Sequence, residues 1–140
     1  MKSLIPERQT APHPILIIDE EEDVLYFLGR VLENFKSVQL HAAVHPLLAI
    51  HLAAEIKPQL VITEIYFPET AAFDAAYLLR RIREPSPEVK VIVTSTISDE
   101  AIIKKALREL GAQAYFRKPY SLELLVKKAL ELLGEDCGVR

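Results

Sequence analysis

Residues 15–23 read Ile-Leu-Ile-Ile-Asp-Glu-Glu-Glu-Asp. Four apolar residues, three of them β-branched, run into five successive carboxylates, after which Val24, Phe27, Leu28, Val31, Leu32 and Phe35 recur at helical spacing. A strand without a polar position is one buried on both faces, and a helix with a single apolar stripe lies against a core. The stretch is one βα unit with acids at its turn.

Working outward, the same alternation recurs. Residues 38–44 have strand composition, and Pro46 opens a helix reaching about residue 56, since proline suits a first helical turn. Residues 60–63 are a third apolar strand, followed by a helix over about 74–83 with Ala75, Leu78, Leu79 and Ile82 on one face. Residues 89–94 make a fourth strand. Ile103, Ala106, Leu107 and Leu110 mark the next helix, which Gly111 stops as a C-terminal cap. Residues 114–116 are a short aromatic strand, and Ser121 caps a last helix carrying Leu122, Leu125, Val126, Ala129 and Leu133 and ending at Gly134. Five βα units predict an α/β fold, a doubly wound (βα)5 parallel sheet with helices on both faces. Residues 1–13, with Pro6 and Pro12 and no periodicity, read as a flexible N-terminal arm; 14–133 form the domain and 134–140 a C-terminal tail.

Composition removes whole classes of function. A chain of 140 residues is one domain long enough to fold without disulfides or structural metal, and its one cysteine, Cys137, suits a reducing cytoplasm. No apolar run approaches the length of a membrane span, and the N-terminus lacks the apolar core of a signal peptide. The net charge of −3 and the absence of a dense basic stripe argue against nucleic-acid binding. Only Gly29, Gly111, Gly134 and Gly138 are glycines, so no Gly-rich phosphate loop can be built. Among the histidines, His41, His45 and His51 have no ligand-like spacing and read as structural or surface residues.

In open parallel sheets function collects beyond the carboxyl ends of the strands. Here those ends supply Asp19 and Glu20, Glu64, Ser95 and Thr96, and Lys118 followed by Pro119. Three carboxylates suit a hard divalent cation such as Mg2+, and a lysine beside a hydroxyl suits a phosphoryl oxygen. Glu21, Glu22 and Asp23 have a simpler role, favouring the positive end of the helix that follows them.

At these strand ends the chain resembles the receiver domains of two-component response regulators, over residues 14–133. The segments ILIIDEEED (15–23), PQLVITEIYFP (58–68), VIVTSTISDE (91–100) and GAQAYFRKPY (111–120) carry the resemblance. It implies a five-stranded, flavodoxin-like three-layer sandwich. It also implies that Asp19 and Glu20 are metal-binding acids completed by Glu64 and the main-chain carbonyl of Tyr66. Ser95 would be the phosphate-site hydroxyl, Tyr115 the switch aromatic and Lys118 the phosphate-binding lysine. In the family the phosphoacceptor is aspartate, whereas the matching position here is Glu64. One more methylene moves the carboxylate by roughly 1.5 Å, and in-line transfer is sensitive to displacements of about 1 Å. The longer acid also carries its charge toward Ser95 and Lys118, which partly imitates the phosphorylated state and weakens Mg2+ binding. Downstream, residues 68–75 replace the family's tight turn with about three additional residues and no glycine.

The function so implied is that of an atypical receiver in phosphorelay signal transduction, a cytoplasmic protein-interaction module without enzymatic activity. Its partners would be a sensor kinase or downstream signalling protein, or a second receiver, with no membrane and no direct nucleic-acid contact. Lys104, Lys105, Arg108, Lys127 and Lys128 offer a basic face to such a partner. A phosphorylation-competent receiver is one alternative, and a Mg2+-dependent phosphohydrolase using the same acids is another. No output domain follows residue 133, so the chain either works alone or is a fragment of a longer protein.

Overall fold

The computed structural model describes residues 12–67 and 74–134. Five strands alternate with five helices: β1 (His13–Ile18), α1 (Glu22–Leu32), β2 (Val38–Ala43), α2 (Pro46–Ile56), β3 (Leu60–Glu64), α3 (Ala75–Arg83), β4 (Lys90–Ser95), α4 (Glu100–Leu110), β5 (Ala114–Arg117) and α5 (Leu122–Leu132). All neighbouring strands pair in parallel, in the order β2-β1-β3-β4-β5. The α/β, five-stranded, doubly wound architecture is the one the alternating pattern predicts. Among the described residues no helix is long and apolar enough to cross a membrane.

The period-2 alternation of the strands divides the core into two layers. Leu16, Ile18, Val61, Val91 and Val93 face α2 and α3, where Ala49, Ala53, Leu78, Leu79 and Ile82 meet them. Ile15, Ile17, Leu60, Ile62 and Ile92 face the opposite way, onto Leu28 and Leu32 of α1 and Leu125, Val126 and Ala129 of α5. Burying a side chain of this size contributes roughly 1.5–3 kcal/mol, and both layers depend on the register of β1 and β3 at the centre. A one-residue slip would exchange the layers.

Local chemistry sets the element ends. Asp74, Asp99 and Ser121 cap α3, α4 and α5 by accepting hydrogen bonds from main-chain amides of the first turn, while Gly111 ends α4 with φ +67°. His45 caps α2, its Nδ1 accepting from the Leu47 amide at 3.0 Å. β1 starts two residues before the apolar run, because His13 and Pro14 extend the pairing with β2. β4 is shifted one residue onward relative to the 89–94 expectation, so that Ser95 is its last residue.

Candidate functional site

Because the chain adds β2 on one side of β1 and β3 on the other, strand order reverses between β1 and β3. Their carboxyl ends therefore frame a crevice. Asp19 and Glu64 stand at those two ends, 2% and 8% exposed. Two carboxylates so buried demand counter-charge or hydrogen bonds.

Both demands are met. Asp19 Oδ1 accepts from the Glu21 amide at 2.9 Å, and Asp19 Oδ2 accepts from Lys118 Nζ at 2.7 Å. Glu64 Oε1 accepts from the amides of Ile65 at 2.7 Å and Tyr66 at 3.2 Å, while Oε2 lies 3.2 Å from Lys118 Nζ. A third acid, Glu21, reaches the same ammonium at 3.3 Å. Glu21 is 66% exposed on its side chain, so the desolvated pairs with Asp19 and Glu64 dominate the electrostatics. Burial by itself would lower the Lys118 pKa. The hydrogen bond and charge of Asp19, then those of Glu64, outweigh it and hold the ammonium above the ordinary lysine value.

Lys118 is delivered by the segment after β5, whose Lys118–Pro119 peptide bond is cis and whose Lys118 amide donates to the Ser95 carbonyl at 2.7 Å. Ser95 itself is buried, its Oγ accepting a long 3.4 Å bond from the Ile97 amide. Tyr115 on β5 donates its hydroxyl to the Ile97 carbonyl at 2.7 Å, so the β4–α4 connection is held from both sides. Burial pushes the Tyr115 phenol above its usual pKa and nearby Glu64 adds to this; a hydrogen bond with Ser95 and the charge of Arg117 act the other way.

The structure thus places Asp19, Glu64 and Lys118 in direct contact and sets Ser95 and Tyr115 on the adjoining strands. Glu20 follows Asp19 in a partly buried position, and the Tyr66 side chain is 66% exposed. The loop expectation for residues 68–75 falls mostly on 68–73, which lie outside the described residues. Glu21 is the site residue that sequence reasoning assigned elsewhere. Glu22 and Asp23 do occupy the first turn of α1, but Glu21 is its N-cap without a side-chain cap bond and turns to Lys118 instead. Only the fold brings residues 21 and 118 together.

In this arrangement Lys118 neutralises the two buried carboxylates. Among the described residues no group of three acid, histidine or cysteine side chains is placed to hold a metal ion. Lys118 Nζ stands between the carboxylates, and both Glu64 oxygens already accept from amides or the ammonium. Beside the site an apolar groove of about 520 Å³ runs between α1 and the start of α5, past Val24, Phe27, Leu28 and Leu122.

Comparison with known proteins gives one consistent result. The family model described as response regulator receiver domain matches residues 15–130. The regulatory protein AtoC of Escherichia coli (strain K12) is 32% identical over 136 residues, 94% of this chain but 28% of that protein. Sporulation initiation phosphotransferase F of Bacillus subtilis (strain 168) is 27% identical over 121 residues, 84% of this chain and 94% of that one. The chain therefore spans little more than a quarter of the first relative and nearly all of the second. Among solved structures, the signal receiver domain of an HD domain-containing protein from Pseudomonas fluorescens Pf-5 is 28% identical. It has a TM-score of 0.76, with 88% of this chain and 95% of that one covered. A CheY-like receiver domain protein from Methanospirillum hungatei JF-1, 22% identical with a TM-score of 0.76 over 89% and 95% of the two chains, shares the fold. With a receiver-type sheet, acids and a lysine at its carboxyl edge and a family match over most of its length, the chain belongs to the response regulator receiver domain family.

Proposed function

We propose that this receiver is an atypical one, in which Glu64 occupies the phosphoacceptor position and output depends on protein contacts rather than on phosphorylation. One observation carries the reading. The Glu64 carboxylate accepts from two main-chain amides and the Lys118 ammonium, donors that would otherwise face an arriving phosphoryl group. An acid already stabilised by three donors is a poor nucleophile, and its added length displaces it from in-line geometry. Lys118 and the amides of Ile65 and Tyr66 then hold an anion the chain supplies itself.

Receiver domains typically bind Mg2+ at the phosphorylation site. In this chain Asp19, Glu20, Glu64 and the Tyr66 carbonyl would be its ligands, and we infer weak binding because Lys118 neutralises two of the acids. Receiver domains interact with sensor kinases and effector domains. Here the partner face we propose is the basic one, with Lys104, Lys105, Arg108 and Lys127 exposed on α4 and α5 and Lys128 bonded to Glu131 at 3.0 Å. The reading places the chain in the cytoplasm, in keeping with its one cysteine. A phosphorylation-competent receiver is the second reading, supported by the direct contact of Lys118 with both Asp19 and Glu64.

Incubation with Mg2+ and a small phosphodonor such as acetyl phosphate, followed by intact-mass measurement, separates the two. The atypical reading expects an unmodified chain. A phosphoryl adduct that maps to Glu64 overturns it.

A further inference from the structure

Helix α2 differs from the other four in what it shows to solvent. Its outward residues are Leu47, Leu48, His51, Ala54 and Glu55, with exposed Val44 just ahead of it. Leu47 and Leu48 are 50% and 45% exposed. Positions three, four and seven apart share a helix face, so these residues form one stripe centred on His51. The stripe carries one charge, whereas α1, α3, α4 and α5 each contain at least three charged residues.

Two features of the stripe point to its occupant. The first is shape: bulky Leu47 and Leu48 lie at one end and small Ala54 at the other, so an antiparallel copy sets each pair of leucines over the other copy's alanine. The second is charge. The first turn of α2 has no acid to match its positive end, and Glu55 lies in the last turn, which holds no basic residue ahead of the C-cap Lys57. Antiparallel pairing brings each Glu55 to the other copy's first turn, where a carboxylate is stabilised. A stripe without lysine or arginine has nothing to offer an anionic lipid surface.

We propose that the solvent face of α2 binds a second copy of this chain, the two α2 helices packing antiparallel about a two-fold axis through His51. Such an interface is isologous, so residue 51 meets its own counterpart. A helix about 16 Å long covers less than the roughly 800 Å² per partner of a stable complex, and the association is a weak, concentration-dependent one.

Sedimentation equilibrium of the whole chain carrying Cys137→Ser tests this. The weight-average mass is expected to rise above the monomer value between about 10 µM and about 1 mM, the range of weak pairings. Leu48→Glu, which sets a charge in the stripe without touching the core, should lower the association constant at least tenfold, and Arg30→Gln, at an exposed position of α1 on the other side of the sheet, should leave it unchanged. In the same background His51→Cys should form an intermolecular disulfide on mild oxidation. A chain monomeric throughout that range overturns the proposal and leaves the face to another partner. So does a dimer that survives Leu48→Glu, one that Arg30→Gln dissociates, or one whose His51→Cys variant does not cross-link while circular dichroism shows it folded.

Discussion

Among the described residues Lys118 is the one positive group paired with both buried carboxylates, and its removal separates packing from electrostatics. In Lys118→Met the side chain keeps most of its volume, but Asp19 and Glu64, both largely buried, lose their counter-charge. Breaking a buried pair from one side costs about 3–5 kcal/mol, to be read as a lower midpoint in urea. Adding Glu64→Gln to that variant should recover part of the loss, because one of the uncompensated charges is then gone. The pH dependence follows from the direction of the Lys118 shift. Its folded pKa lies above the unfolded value of about 10.4, so the stabilisation is complete below that value and is lost as pH rises through the folded pKa. Unfolding free energy measured from pH 7 to pH 11 should hold steady at first, then fall in the alkaline range, and the Lys118→Met variant should lack that part of the fall. Individual residues were legible in the sequence where chemistry sits at a strand end, as with Asp19, Glu64 and Lys118. Glu21 was not, since it stands in an acidic run at the start of α1 where a helix-end role already accounts for it, and only the fold turns it to Lys118.

The β4–α4 connection is held through its main chain, chiefly by the Tyr115 hydroxyl donating to the Ile97 carbonyl. Replacing Tyr115 with phenylalanine removes one neutral hydrogen bond, about 1 kcal/mol. Amides of residues 97–99 should then exchange with solvent roughly five times faster while those of β4 are unchanged. At the start of α4, Asp99 accepts from the amides of Ala101 and Ile102 at 2.9 and 3.2 Å. Asp99→Ala should cost about 1 kcal/mol, a downward shift in thermal midpoint, and fray the turn that precedes Lys104 and Lys105. All ten elements were visible in the sequence, most from a change of apolar period, α2 from its opening Pro46 and β5 from its short aromatic run. Their ends were less so: His13 and Pro14 extend β1 only because β2 lies beside them, and His45 caps α2 through a ring nitrogen that no simple capping rule anticipates.

At the scale of the molecule, α4 packs beside β5, so Lys104, Lys105 and Arg108 lie toward the β5 edge of the sheet, whereas α5 packs beside α1 on the other face. Association with an acidic partner at that edge should slow as salt rises, and reversing Lys104 and Lys105 to glutamate should remove most of the salt dependence measured by stopped flow. The two-layer core and the sheet were legible because the central runs of β1, β3 and β4 are apolar on both faces. The reach of Glu64 toward Lys118 followed from its length, but its acceptance from the amides of Ile65 and Tyr66 did not, since that depends on how the backbone turns after β3. The claim that Glu64 fills an otherwise intact acceptor pocket is tested most directly by Glu64→Asp, which draws the carboxylate back by one methylene and frees those donors. Parent and variant are incubated side by side with Mg2+ and acetyl phosphate and their intact masses compared. The expected result is a phosphoryl adduct on the variant and none on the parent; an adduct on the parent at Glu64, or a folded variant that stays unmodified, would contradict the claim.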